Sequence, residues 1–497
     1  MGGLDGEQAP TVSITDVYET TVGLEIHVEL STKSKMFCGC EVAFAGEPNT
    51  RTCPVCLGLP GSLPVPNEKA IEHTMKIGLA LNCEIAGWCL FHRKNYFYPD
   101  IPKNYQISQY DHPLCSKGFI EISGDFGTKR VGITRVHLEE DTGKSIHVGG
   151  SGRIADSDYS LEDFNRAGTP LVEIVSEPDI SSAEEARVFV SELRALVESL
   201  GVSDVRMEEG SLRVDANISV RRSGETEHGA KVEVKNMNSI RSVVRALMYE
   251  EERQRRALDS GEELVQETRH FDEKTGTTSS MRTKEYAFDY RYFPEPDLVP
   301  LEPPVEWVDS LRESMPEFPT ARRARFASQY GLGDKDIEVL AATSATADWF
   351  EEAADAYDGD AKRIVNWIIA DLFGLLNEAG IELHESKVAP KQLAAMVKMI
   401  DAGTISGKQA KLVLQAMFES GRDAEEIAQE KGLEQVSDAA QLEGVVDEVI
   451  AENSEAADKV RAGQLNTMGF LVGRVMKKTR GRANPGLVNE LLRSKLT

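Results

Sequence analysis

The stretch Val22-Gly23-Leu24-Glu25-Ile26-His27-Val28-Glu29-Leu30 is apolar at every even position and carries Glu, His and Glu at 25, 27 and 29. A strand sends alternate side chains to opposite faces, so this segment has one aliphatic face and one row of acids and imidazole. Three other stretches repeat the pattern: Arg135-Val136-His137-Leu138-Glu139, Leu212-Arg213-Val214-Asp215-Ala216-Asn217-Ile218 and Lys231-Val232-Glu233-Val234-Lys235. The aliphatic faces need cover, and helices with matching stripes are present. Ser182 and Glu185 have capping-box spacing ahead of Phe189, Leu193, Leu196, Val197 and Leu200, with Gly201 as the stop. A second helix starts near Ser239, with Ile240, Val243, Val244, Leu247 and Met248 on its apolar side. The expectation is an α+β protein whose large, mainly antiparallel sheet packs one face on helices. Plain solvation is the common fate of the other face. Four strands that gather Glu, His, Asp, Asn, Arg and Lys there point instead to a site.

Outward from this sheet, strand signal fades after about Val305, and the remainder is Ala-, Leu-, Glu- and Gln-rich with helical spacing. Pro294, Pro296, Pro300, Pro303 and Pro304 lie between the two regimes, where proline removes backbone donors and marks a boundary. A softer boundary lies between Gly421 and Gly432. The expected domains are therefore a sheet domain over 1–304, a helical domain over 305–425 and a small helical tail over 426–497.

Composition narrows the classes of function. The chain has 497 residues, 41% of them hydrophobic, which is enough for several cores. Its 56 basic and 82 acidic residues give a net charge of −26, so it is no general polyanion binder and no DNA partner is expected. The deficit falls on lysine, 25 against 31 arginines, a pattern suited to concentrated salt. No apolar run reaches the ~18 residues of a membrane span. The first residues show no basic-then-apolar secretion signal. Seven cysteines are too few and too odd for a disulfide framework, which favours a reducing, cytoplasmic compartment.

Four clusters can carry chemistry. Cys38-Gly39-Cys40 and Cys53-Pro54-Val55-Cys56 are two close thiol pairs, twelve residues apart, matching a closed tetrahedral zinc site of structural kind. The alternatives are unlinked thiols or a redox dithiol. Acids recur at Glu25, at Glu139, Glu140 and Asp141, and at Glu208, Glu209 and Asp215. On adjacent strands such oxygens suit Mg²⁺ bound with ATP; alone, each is a solvated acidic patch. His92-Arg93-Lys94-Asn95-Tyr96-Phe97-Tyr98 is basic and aromatic in an acidic chain, so Arg93 and Lys94 are candidates for neutralising phosphoryl oxygens. Arg474, Lys477, Lys478, Arg480, Arg482, Arg493 and Lys495 lie within 22 residues that hold one acid, Glu490. That reversal reads as an RNA-backbone contact, or as helix-end charges paired with acids. Gly143-Lys144-Ser145 ends like a phosphate loop, but the first glycine would fall on Leu138, so the match fails.

Several of these stretches resemble the B subunits of the tRNA-dependent amidotransferases. Besides 22–30 they are Arg93 to Asp100, Tyr105 to Gln109, Asn165 to Val175, Met207 to Arg213, Asp289 to Asp297, Met468 to Gly473, and Ala483-Asn484-Pro485. The resemblance runs through nearly the whole chain. It implies a catalytic cradle distantly similar to glutamine synthetase, followed by helical and tail domains that engage tRNA. It also implies a ligase of protein biosynthesis that converts Asp-tRNA(Asn) or Glu-tRNA(Gln) to the amide with ATP and Mg²⁺. Ammonia would come from a glutaminase A chain, with a small C chain completing a heterotrimer. The related archaeal GatE proteins carry an insert for which the passage from Phe293 to Glu302 leaves no room. With the salt-adapted composition, a halophilic archaeon making Asn-tRNA is the expected setting.

Carried over by position, the resemblance implies Glu25, His27, Glu139 and Glu140 as magnesium ligands. Lys94, Glu140, Glu209 and Asp215 would be catalytic, and Arg93, Lys94 and Arg213 would hold the nucleotide. Cys38, Cys40, Cys53 and Cys56 match a zinc knuckle that some members keep. Arg474, Lys477, Lys478, Arg480 and Arg482 would contact tRNA. Two competitors remain: a non-catalytic, zinc-stabilised tRNA scaffold, and a ligase acting on free amino acids.

Overall fold

The computed structural model describes residues 17–149, 157–227, 229–283, 287–433, 439–479 and 483–496. The chain divides into two compact units, Met1–Pro319 and Thr320–Thr497.

The first unit is built on strands β1 (Tyr18–Glu29), β2 (Glu84–Ile85), β3 (His92–Asn95), β4 (Tyr105–Ser108), β5 (Cys115–Gly124), β6 (Gly127–Glu140), β7 (Lys144–Val148), β8 (Tyr159–Asp163), β9 (Pro170–Ser176), β10 (Leu212–Arg222), β11 (Val232–Met237), β12 (Glu267–Asp272), β13 (Thr277–Thr283) and β14 (Phe293–Pro294). Nine of them form one sheet in the order β13-β12-β11-β10-β1-β9-β6-β5-β2. Every neighbouring pair in it is antiparallel except β11 with β12. The α+β architecture with a mainly antiparallel sheet is as expected. Two smaller sheets, β14-β3-β4 and β7-β8, flank it.

Period two decides which face is the core. Val22, Leu24, Ile26 and Val28 from β1 join Val136 and Leu138, Val172 and Ile174, Leu212, Val214 and Ala216, and Val232 and Val234 in one buried cluster. Helices α1 (Glu68–Ala80), α2 (Ala183–Ser199) and α3 (Ile240–Ser260) cover it, through Met75 and Ile77, Phe189 and Leu193, and Val243 and Leu247. Each apolar side chain so buried is worth ~1.5–3 kcal/mol.

Three local expectations need correction. Ser182 caps α2 by accepting from Glu185 N–H at 3.1 Å, but the Glu185 carboxylate does not return to Ser182. It accepts from Ser181 N–H at 2.8 Å and from Lys129, so an adjacent cation draws it one residue upstream. Met248 is 59% exposed, off the apolar stripe of α3. Helix α4 (Val305–Glu313), expected to open the helical domain, buries Leu311 in the core of the first unit instead.

The second unit is helical among its described residues and holds two hydrophobic clusters. One includes Phe326, Phe350, Leu372, Leu393 and Met417. The other includes Leu442, Val446, Leu471, Val475, Val488 and Leu492. No helix among the described residues is long and apolar enough to cross a membrane.

Candidate active site

Registers across the sheet carry the polar rows together. His27 on β1 stands opposite Glu173 on β9 and Arg213 on β10. His137 on β6 also stands opposite Glu173. Glu25 stands opposite Asp215. A cavity of about 340 Å³ opens over this face, lined among others by Glu25, His27, Lys94, Arg135, His137 and Glu173. Glu233 and Lys235 of β11, with Tyr110, Tyr290 and Tyr292 on facing loops, complete its wall.

His27 and Glu173 of this lining, with the buried Glu139 behind them, offer one nitrogen and two carboxylates within 4.8 Å of one another. His27 Nε2 is 3.4 Å from Glu173 and 3.7 Å from Glu139. Ligands of an octahedral Mg²⁺ at 2.0–2.1 Å lie about 3 Å apart, so a small contraction fits the set. Few protein ligands beside open positions also suit a cation that shares its shell with phosphate oxygens. Burial and the neighbouring Glu173 push the Glu139 carboxyl up, and outweigh the opposing pull of Lys94 and His27. His137 lies 3.9 Å from both carboxylates, and burial lowers its imidazole to about 4, leaving it neutral near pH 7.

Glu140 is not in this set. Adjacent strand residues face opposite ways, so with Glu139 on the cavity side of the sheet Glu140 turns to the other side. There its buried carboxylate meets the Lys103 ammonium and accepts from Ile107 N–H at 2.9 Å. The same parity separates Arg93 from Lys94. Lys94 lines the cavity with its ammonium 5.1 Å from the Tyr290 ring. Burial opposes its charge, but Tyr292, Glu139 and Glu173 outweigh burial and hold its pKa above the ordinary lysine value. Arg93 turns away into a bidentate pair with Glu295, at 2.7 and 2.8 Å, and packs its guanidinium 4.3 Å over Tyr105. It braces the strand that presents Lys94 and has no free fork for a nucleotide.

Other expected residues are distributed as follows. Glu25 reaches the cavity and accepts from Asn217 at 2.8 Å, outside the metal-ready trio. Asp215 is paired with Lys235 at 2.5 Å. Arg213 donates to Asp141 at 2.7 Å, so it is committed to a buried acid. Glu209 is exposed on the turn before β10 and pairs with Arg206 at 2.8 Å, away from the cavity lining. Sequence reasoning missed Glu173 and Arg135 as site residues. The available signal was Glu173 as a lone charge inside the apolar run Pro170-Leu171-Val172-Glu173-Ile174-Val175, since a buried carboxylate needs partners.

The four cysteines do converge, their sulfurs within 4.8 Å of one another. Cys53 and Cys56 Sγ are 3.9 Å apart, close to the ~3.8 Å set by tetrahedral Zn–S bonds of ~2.3 Å. A hydrogen bond from Cys38, working against burial, lowers Cys56 to about 5, which favours the thiolate a metal needs. Cys83, Cys89 and Cys115 are buried elsewhere as small apolar side chains.

In the tail, helix Met468–Lys478 exposes Lys477 and Arg474, whose guanidinium lies 5.0 Å over the half-exposed Phe470 ring. Lys478 is paired with Glu448 and Glu452 at 2.7 Å, and Lys495 with Asp447 at 2.7 Å. Part of the basic run is thus neutralised by the acidic helix beside it. Arg480 and Arg482 lie outside the described residues.

Comparison with known proteins adds the family. The family described as the GatB/GatE catalytic domain matches residues 20–309, and the GatB domain matches residues 348–496. The aspartyl/glutamyl-tRNA(Asn/Gln) amidotransferase B subunit of Carboxydothermus hydrogenoformans is 53% identical over 479 residues, covering 96% of this chain and 99% of the relative. The B subunit of Moorella thermoacetica is 53% identical, covering 96% of this chain and 100% of the relative. That of Thermoanaerobacter sp. strain X514 is 51% identical, covering 97% and 99%.

Proposed function

This chain belongs to the family of aspartyl/glutamyl-tRNA(Asn/Gln) amidotransferase B subunits, and from that membership we propose that it amidates a misacylated tRNA at the cavity over β1, β6 and β9. The observation that carries this reading is the convergence of His27, Glu173 and the buried Glu139 beside the polar cavity that Lys94 also lines. The substrate is Asp-tRNA(Asn) or Glu-tRNA(Gln), with ATP as phosphoryl donor. The lysine-poor, acidic composition favours a salt-adapted setting, and with it Asp-tRNA(Asn).

The chemistry follows from the groups present. A carboxylate is a poor electrophile, so its oxygen first attacks the γ-phosphorus of ATP and expels ADP. Ammonia then attacks the acyl carbon and expels phosphate. Mg²⁺ held by His27, Glu139 and Glu173 would spread the charge of phosphoryl transfer. The Lys94 ammonium, kept charged, orients the carboxylate and its phosphorylated product. His137, neutral at pH 7, can take the proton that the attacking ammonia must lose. Glu25, which lines the cavity, is placed to meet the α-ammonium of the aminoacyl group. Tyr110 and Tyr292, stacked 4.4 Å apart, help wall the cavity and keep water from the acyl phosphate.

The Cys38–Cys40–Cys53–Cys56 cluster holds zinc as a structural staple, since four sulfurs leave no open position. Arg474 and Lys477, with Phe470, contact the tRNA backbone. The relatives are named as subunits, which implies an assembly. Here the partners would be a glutaminase A chain and a small C chain, in the cytoplasm.

The test uses the assembled complex with Asp-tRNA(Asn), ATP, Mg²⁺ and ammonium in place of glutamine. Glu139→Gln and Glu173→Gln are expected to abolish amide formation while tRNA still binds. Wild-type turnover in both variants would move the chemistry off this chain.

A further inference from the structure

Arg135 is a cavity cation that the proposed chemistry leaves without a task. Its placement depends on a bulge. Ile133 pairs with Ser176 and Arg135 with Val175, so the β6–β9 register slips between them. Ile133 and Val136 are both in the core, three positions apart, where strict alternation would set them on opposite faces. Without the extra residue Arg135 would share the face of Ile133 and enter the core. The slip turns Arg135, His137 and Glu139 together onto the cavity side, the re-aiming that bulges perform beside sites.

The guanidinium is under-used. Arginine presents five donors in a planar fork. Among the described residues this fork meets Glu173 Oε1, 3.5 Å from Nη2, and its buried Nε has no hydrogen bond. Arg93, by contrast, is closed on two donors by Glu295 at 2.7 and 2.8 Å, and Arg213 is tied through Nη2 to Asp141 at 2.7 Å. Glu173 is gripped on its other oxygen by His27. The open fork therefore sits beside the metal-ready trio, where one oxyanion can touch both. Such a planar, bidentate donor suits a phosphoryl group. The substrate carboxylate is a worse fit, since a fork on both its oxygens would occupy the lone pairs with which it must attack phosphorus.

We propose that Arg135 binds the transferred phosphoryl group by its non-bridging oxygens and keeps hold of them until ammonia expels phosphate. This rests on the function proposed for the cavity. The bond formed is carboxylate oxygen to γ-phosphorus and the bond broken is γ-phosphorus to the β,γ-bridging oxygen. In the second step the carbon–nitrogen bond forms, the acyl carbon–oxygen bond breaks, and the proton lost by nitrogen passes by way of His137 to the departing phosphate.

The experiment compares Arg135→Ala and Arg135→Lys in the assembled complex, measuring tRNA-dependent phosphate release and amide formation with ammonium. Arg135→Ala is expected to lose about 100-fold or more in phosphate release. Arg135→Lys should lose less, because charge survives and the fork does not. Affinity for aminoacyl-tRNA should stay within about twofold, and millimolar guanidinium ion should restore part of the Ala variant's rate. Phosphate release near wild type, a loss explained by weaker tRNA binding, or no restoration by guanidinium would each overturn the proposal. Glu139→Gln run in parallel separates the two levels. If it is inactive while Arg135→Ala is not, the Arg135 assignment alone falls. If both are active, the site reading itself falls.

Discussion

Glu139 and Glu140 are neighbours in sequence, and exchanging each for glutamine separates metal binding from folding. The Glu140 side chain is 5% exposed and its partner Lys103 7% exposed. Glu140→Gln leaves a buried ammonium against a neutral amide. Removing one partner of such a pair costs about 3–5 kcal/mol. The amide oxygen can still accept from Ile107 N–H and from Lys103, returning about 1 kcal/mol. The expected net loss is about 2–4 kcal/mol. Glu139→Gln removes a charge that burial and Glu173 already disfavour, so folding should change by less than about 1 kcal/mol. It also removes a charged oxygen from the trio, and Mn²⁺ affinity should fall at least about 10–100-fold, the range seen even for outer-shell partners. Calorimetric unfolding of the transition carrying the sheet unit gives the first quantity. Titration followed by the signal of free Mn²⁺ gives the second. Adding Lys103→Met to Glu140→Gln should recover most of the lost stability, since no unpaired charge then remains. A Glu140→Gln protein that unfolds like wild type yet fails to bind metal would refute this geometry.

Three further outcomes follow from the structure. Burial, then Asp141, raises Glu29 to about 8 from an ordinary value of 4.5, so its favourable contribution is complete below pH 4.5 and lost as pH rises through about 8. Glu29→Gln mimics the protonated form, and its melting temperature should gain on wild type progressively between pH 4.5 and 8 and by no more above that in a thermal scan. Cys56→Ser should release about one zinc per chain, measured by atomic absorption, and lower the melting temperature while leaving the β1–β9–β6 cavity able to bind Mn²⁺. Arg474→Glu with Lys477→Glu should weaken tRNA binding and reduce the slope of log affinity against log salt by about 2, while Lys478→Glu, already paired with Glu448 and Glu452, should change that slope much less.

The sequence by itself determined the alternating strands, the helices over their aliphatic face, the paired cysteines and the family, because each is written in local spacing or in long contiguous stretches. His27 and Lys94 were legible for the same reason. The residues that the fold sets beside them were not. Glu173 joins His27 only because β1 lies between β9 and β10, strands far along the chain whose order no local pattern states. Glu139 rather than Glu140 faces the cavity because a bulge near Arg135 sets the phase of β6, and a shift of one residue exchanges the two faces of a strand. Arg93, Arg213 and Asp215 have the right chemistry for the site, but Glu295, Asp141 and Lys235 reach them first. Charge type is a property of the residue; whether that charge is free for a substrate is decided by what the fold brings within about 3 Å of it.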